Sequence, residues 1–128
     1  MFDVIIVGGS YAGLAAALQL GRARRSVLVV DAGLRRNRFA ASSHGFLGQD
    51  GQAPQAISAK GRAEVSAYPS VRWLEATAGQ VRAVGDGFAL RAGGEEHASR
   101  RLILATGVVD ELPAVEGLTE RWGKTVVA

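Results

Sequence analysis

Residues Phe2 to Asp31 read FDVIIVGGSYAGLAAALQLGRARRSVLVVD, and the order of the parts in this stretch decides the fold. Val4 to Val7 is a continuous, β-branched apolar run, as expected for a strand buried on both faces of a parallel sheet. Gly8, Gly9 and Gly13 follow where the chain must turn sharply, approach a ligand closely and let a helix pack tightly on the strand. A helix starting near Tyr11 or Ala12 aims free N–H groups and the positive end of its dipole at that bend, so an anion is stabilised there. Ala12, Ala15, Ala16 and Ala17, with Leu14, Leu18 and Leu20, favour helix and give it a small-residue face. Residues 26–30 form the second strand, and Asp31 closes it. The whole is a dinucleotide-binding βαβ unit over 2–31.

Asp31 follows Gly13 by eighteen positions, close to the offset of about 20 at which an acid hydrogen-bonds ribose hydroxyls. A carboxylate there favours a free diol, as in FAD or NAD, and disfavours a 2′-phosphate. The glycine spacing departs from G-x-G-x-x-G once, because Ser10 stands where the second glycine belongs. Serine is small, and its hydroxyl is able to donate to a phosphate oxygen. The competing reading, a glycine-rich turn without a ligand, lacks a reason for the strand, helix, strand and acid arriving in this order.

The length of 128 residues, 48% of them hydrophobic, suits one domain with an ordinary core. Of the fifteen basic residues thirteen are arginine, giving a net charge of +3. Arg22, Arg24, Arg25, Arg35, Arg36 and Arg38 cluster, but aromatic residues are sparse, so a solvated surface is the better reading and nucleic acid is not an expected partner. With no cysteine, neither a disulfide framework nor a thiolate metal site is possible within these residues. His44 and His97 are too few and too poorly placed for a metal site. No apolar run is long enough for a signal peptide or a membrane span, which makes a cytoplasmic protein the default.

Residues 32–52 read as a long irregular loop, a kind that is often functional. Residues 53–68 have helical periodicity, with Pro54 suited to the first turn and Pro69 as the stop. Residues 71–74 form a third strand, reached by a right-handed crossover. From residue 76 to 100 three short runs, divided by Gly85-Asp86-Gly87 and Gly93-Gly94, predict a three-stranded antiparallel meander. Val81, at one edge of it, would present backbone groups to an adenine. Residues 101–107 return as the last parallel strand and stop at Thr106-Gly107, close to the same crevice. Residues 108–128 form an exit segment whose apolar end, Val126 to Ala128, reads as the start of another strand. The predicted class is therefore α/β, a Rossmann-like domain whose parallel sheet carries an antiparallel meander and whose pattern is incomplete at the C-terminus.

VIIVGGSYAGLAAALQL, VLVVDAG, RN, HGFLGQDG, LILATG, ELPAVEG and WGKTV, in this order, resemble the N-terminal flavin-binding segment of thioredoxin reductase-like flavoproteins, in the pyridine nucleotide–disulfide oxidoreductase class. The resemblance implies FAD, with its pyrophosphate over Gly8, Gly9, Ser10, Tyr11, Ala12 and Gly13 and its adenosine ribose on Asp31 and Ala32. Arg36 and Asn37 would lie at the adenosine end. The isoalloxazine would lie toward His44, Gly48, Gln49 and Asp50, and Ala105, Thr106 and Gly107 would support the cofactor from the last strand. For the loop residues among these, a solvated surface is the plainer reading.

Proteins of this kind carry a redox CxxC on an NADPH-binding domain and complete the flavin domain after it. Neither is present here, so the chain reads as about the first third of a longer enzyme. In that enzyme NADPH would reduce FAD, which would pass electrons to a disulfide or small-molecule acceptor, usually in a homodimer. Three readings stay open: a disulfide reductase or dithiol oxidase, an FAD enzyme without a dithiol (monooxygenase-like or ferredoxin reductase-like), and a non-catalytic nucleotide-binding module. None of the residues is a candidate acid, base or nucleophile.

Overall fold

The computed structural model describes residues 1–34 and 39–127. The elements run β1 (Phe2–Val7), α1 (Tyr11–Arg22), β2 (Val27–Asp31), α2 (Pro54–Ser66), β3 (Val71–Glu75), β4 (Ala78–Val84), β5 (Gly87–Ala92), β6 (Glu95–Leu104) and a helical turn, α3 (Leu118–Arg121). One six-stranded sheet has the order β3-β2-β1-β6-β5-β4. β3, β2, β1 and β6 are parallel, whereas β4, β5 and β6 form an antiparallel meander.

Alternation along the parallel strands divides their side chains between two cores. Val4, Ile6, Val27 and Val29 face the helices, where they meet Leu14 and Ala17 of α1 and Val65 of α2. Ile5, Val7, Leu28 and Val30 face the other way, onto Leu90 and Ala92 of the meander. Both faces are covered, which explains why Val4 to Val7 and Val27 to Val30 are apolar without interruption. The helices lie together because Gly61 of α2 lets Leu14 of α1 come close. Pro54 opens α2, and the Tyr11 hydroxyl at the start of α1 donates to the Pro54 carbonyl at 3.0 Å.

The break expected between a meander strand ending at Arg100 and a parallel strand starting at Arg101 is absent. β6 is one ten-residue strand that serves both purposes. Its first part pairs with β5, from Ala92 opposite Glu95 to Phe88 opposite Ser99. Its later part pairs with β1, from Phe2 opposite Ser99 to Val7 opposite Leu104. Nothing in Ser99-Arg100-Arg101 interrupts an extended chain, so the charged pair marks a change of neighbour and not a turn. The two hairpins close on Gly85-Asp86 and Gly93-Gly94, and the glycines among these have positive φ, as two-residue hairpins require. In the exit segment, α3 was not legible in advance, and Val126 forms a single bridge with Trp122. Ala128 lies outside the described residues. Among the described residues no helix is long and apolar enough to cross a membrane.

Leu90 is fully buried and joins the meander to the parallel strands. Leu90→Ala should cost about 2–5 kcal/mol in denaturant unfolding through the cavity it leaves. Val84→Ala, at a half-exposed position of the same meander, should stay within about 0.5 kcal/mol. Equal losses at both positions would contradict the two-core arrangement.

Candidate functional site

The site is built where the parallel strands end. β1 stops at Val7, and its end is tied on both sides: Gly8 N donates to the Val30 carbonyl of β2, and Ala105 N donates to the Val7 carbonyl, each at 2.8 Å. Gly8 has φ +105°, and a Cβ there would collide with the Ala105 carbonyl. At Gly13, in the first turn of α1, a Cβ would land on the Gly8 carbonyl oxygen. Glycine is therefore required twice over, by backbone conformation at Gly8 and by contact at Gly13.

Gly9 is constrained by side chains instead. A Cβ there would lie 2.5 Å from the ring edge of Trp73, on β3, and 2.7 Å from Cγ of Asp31. Asp31 Oδ1 accepts two backbone hydrogen bonds, from Gly9 N and Gly33 N, both at 3.2 Å. These fix the carboxylate across the mouth of the bend, and Oδ2 accepts nothing from the described residues. Ser10 is the N-cap of α1 with extended backbone, yet its hydroxyl makes no capping hydrogen bond. The first turn of α1 thus has no side-chain cap, which leaves an anion as a suitable partner for its N–H groups.

Beside the bend lies an open cleft of ≈ 630 Å³, whose lining includes Ser10, Tyr11, Ala105, Thr106, Gly107 and Trp122. Leu34, Phe39, Val108 and Val109 also line it and make one part of its wall apolar. The structure brings Gly8, Gly9, Ser10, Tyr11, Ala12, Gly13, Asp31, Ala32, Ala105, Thr106 and Gly107 to this end of the sheet. Arg36 and Asn37 lie outside the described residues.

His44, Gly48, Gln49 and Asp50 do not line the cleft. They belong to a compact loop that bonds to itself: Ser43 N donates to the Gln52 carbonyl at 2.8 Å and Gly51 N to the Ser43 carbonyl at 2.7 Å. Asp50 accepts from Gly45 N at 2.8 Å and lies 3.4 Å from His44 Nδ1, with both side chains largely exposed. Val81 sits on the outermost strand, β4, opposite Leu90, and is also absent from the cleft lining. The sequence reading missed Trp73 and the apolar wall. Trp73 was findable in principle, because it stands in register with Val29 and so faces the helix side, next to the strand that ends in Asp31.

The sequence model of the pyridine nucleotide-disulphide oxidoreductase family matches residues 2–128. The chain belongs to this family. Its relatives include a probable thioredoxin reductase of Arthroderma benhamiae, 33% identical over 98% of this chain and 33% of that protein. They also include the thioredoxin reductase tcpT of Claviceps purpurea, 36% identical over 98% of this chain and 40% of that protein. Among solved structures, an oxidoreductase from Agrobacterium tumefaciens is 55% identical with a TM-score of 0.93, over 98% of this chain and 43% of that one. A putative thioredoxin reductase, TrxB, from Bacillus anthracis is 33% identical with a TM-score of 0.92, over 100% of this chain and 44% of that one. The fold is thus that of the Rossmann-like FAD-binding domain of thioredoxin reductase-like oxidoreductases. This member of the family spans between a third and two fifths of the length of the two curated relatives.

Two glycine substitutions separate the close approach from ordinary helix effects. Gly13→Ala should abolish cooperative unfolding or lower stability by more than about 3 kcal/mol, because backbone cannot yield at the Gly8 carbonyl. Gly61→Ala meets only the flexible end of Leu14 and gains helix propensity, so its effect should stay within about 1 kcal/mol of wild type. Calorimetry of both variants checks the contrast.

Proposed function

We propose that the bend between β1 and α1 holds the pyrophosphate of FAD and that Asp31 holds its adenosine ribose. The observation that carries this reading is the double anchoring of Asp31 Oδ1 on Gly9 N and Gly33 N. It orients a charged acceptor while keeping Oδ2 for a hydroxyl donor. The residues present fit the group. Gly8, Gly9 and Gly13 keep side chains out of the bend, the uncapped turn at Ser10 offers N–H donors, and the Ser10 hydroxyl is unused in capping. Ala32 and Gly33 extend the ribose side, and Arg36 and Asn37 follow a few positions later in the sequence.

When bound, FAD supplies two-electron redox chemistry, and the protein supplies binding, orientation and electrostatics. Asp31 contributes a charge-assisted hydrogen bond to the ribose, which is stronger than a neutral one. The helix end lowers the cost of holding two phosphate charges. Ala105, Thr106 and Gly107 bring backbone to the cleft beyond the bend, and the apolar wall of Leu34, Phe39, Val108 and Val109 suits a flat ring system and excludes water from it. In the same reading His44, Gly48, Gln49 and Asp50 approach the ring from their self-bonded loop, and Val81 serves the adenine through backbone.

The whole protein, on this reading, is an FAD-dependent oxidoreductase in which NADPH delivers reducing equivalents and a disulfide or small-molecule acceptor receives them. Thioredoxin reductase relatives and the shared family support that electron route. A cytoplasmic homodimer belongs to the same proposal.

Titration of the chain with FAD, followed by the change in flavin fluorescence, tests the binding step. Asp31→Ala should weaken FAD binding by about ten- to a hundredfold, the usual worth of a hydrogen bond to a charged group. Equal affinity in Asp31→Ala and wild type would remove Asp31 from the site. For the route, NADPH added to the whole protein should bleach its flavin absorption band.

A further inference from the structure

Trp73 is the largest side chain near the bend, and its placement is unusual for a core residue. It stands on β3, two strands from β1, with β2 between them. Adjacent strands lie about 4.8 Å apart, so reaching Gly9 means crossing roughly 10 Å over β2. The outer edge of the indole accomplishes this, ending where a Cβ on Gly9 would be only 2.5 Å away. Asp31 Cγ borders the same space at 2.7 Å, so indole, Gly9 and carboxylate are packed as one unit. The indole Nε1 is buried with no hydrogen-bond partner among the described residues. Such an arrangement costs stability, and packing alone would be served as well by a side chain with no polar atom.

The other side of the ring is held as well. The Arg62 guanidinium, from α2, lies 4.4 Å from the ring centroid, and Arg62 Nη2 donates to Glu75 Oε1 at 2.9 Å. Glu75 pairs with Asp31 in the strand register. The cation therefore keeps the indole against Gly9 and offsets the carboxylate that neighbours Asp31.

We propose that Trp73 is a positioning residue for the adenosine-ribose end of the nucleotide site. It sets the height of the Gly9 amide above the sheet and, through the hydrogen bond from that amide, the direction of the Asp31 carboxylate. Residue 9 is glycine because of the indole beneath it. This rests on the reading that the bend binds FAD.

The test is a double-mutant cycle at positions 9 and 73 on the full chain, with FAD and ADP titrated separately and folding checked by circular dichroism. ADP carries the adenosine half without the flavin. Trp73→Val should weaken both ligands by the same factor, about tenfold, as expected for coupled neighbours. Gly9→Ala should weaken both more severely. The combined variant Gly9→Ala with Trp73→Val should bind better than Gly9→Ala alone, because the indole no longer opposes the new methyl group and only the Asp31 carboxylate still has to shift. A merely structural tryptophan gives coupling in unfolding stability alone, with the folded Trp73→Val variant binding FAD and ADP as wild type, and that result would overturn the proposal. Should Trp73→Val fail to fold, Trp73→Phe, which shortens the ring without removing it, carries the same cycle with the same expected rescue. If the wild-type chain binds neither FAD nor ADP, the cofactor reading itself falls. If it binds both and Trp73→Val and Trp73→Phe bind as wild type, only the role of Trp73 falls.

Discussion

Everything at the functional end of this molecule depends on how closely the backbone after β1 approaches its surroundings. Within six residues the chain touches the Ala105 carbonyl at Gly8, the Trp73 ring and Asp31 at Gly9, and its own Gly8 carbonyl at Gly13. A side chain is opposed at each of these points, because two of the obstacles are backbone carbonyls and the other two are an aromatic edge and the Asp31 carboxylate. The approach ties together the ends of β1, β2 and β6 through Gly8 N to Val30 and Ala105 N to Val7. A bend held from three directions presents its amides in one fixed arrangement, and preorganised donors of that kind bind a charged group without first being ordered.

The rigidity of that bend comes from the sheet beneath it. β1 is central, with β2 on one side and β6 on the other, and the strand is buried on both faces by cores of different construction. Helices cover one face and the meander covers the other. β6 makes this possible by leaving the meander and entering the parallel sheet without a break, so Ala105, Thr106 and Gly107 arrive beside Gly8 at a height set by the same ladder that sets β1. Deforming the cleft would mean shifting β6 along β1, which turns buried side chains outward.

Much of this was legible in the residues. The unbroken apolar runs of β1 and β2, the glycine bend, the alanine-rich helix, Asp31 and the two glycine hairpins each have a local cause that periodicity or turn chemistry reveals. The continuity of β6 was not legible, because Glu95 to Leu104 changes from polar to apolar at Arg101 and that change looks like a boundary. In fact it records a change of neighbours along one strand, from antiparallel pairing with β5 to parallel pairing with β1, which is tertiary information. The site divided along the same line. Residues adjacent in sequence to the strand ends were found, whereas the indole of Trp73 and the apolar wall from Leu34, Phe39, Val108 and Val109 reach the site across space from segments with no motif.

The charge balance at the strand ends follows from the topology as well. Parallel strands end together, so Asp31 and Glu75 become register neighbours at the mouth of the crevice, two carboxylates where repulsion would turn one of them away. Their partners differ. Asp31 is held by backbone amides, which supply no counter-charge and leave it an anion able to accept from a hydroxyl. Glu75 is paired with Arg62 of α2, an ion pair open to solvent on the helix side. The neighbouring acids are thereby assigned to different tasks, one facing the ligand end and one facing the scaffold. Exchanging the residues at these two strand ends would not exchange their roles, because only the end of β2 lies beside the amide of Gly9.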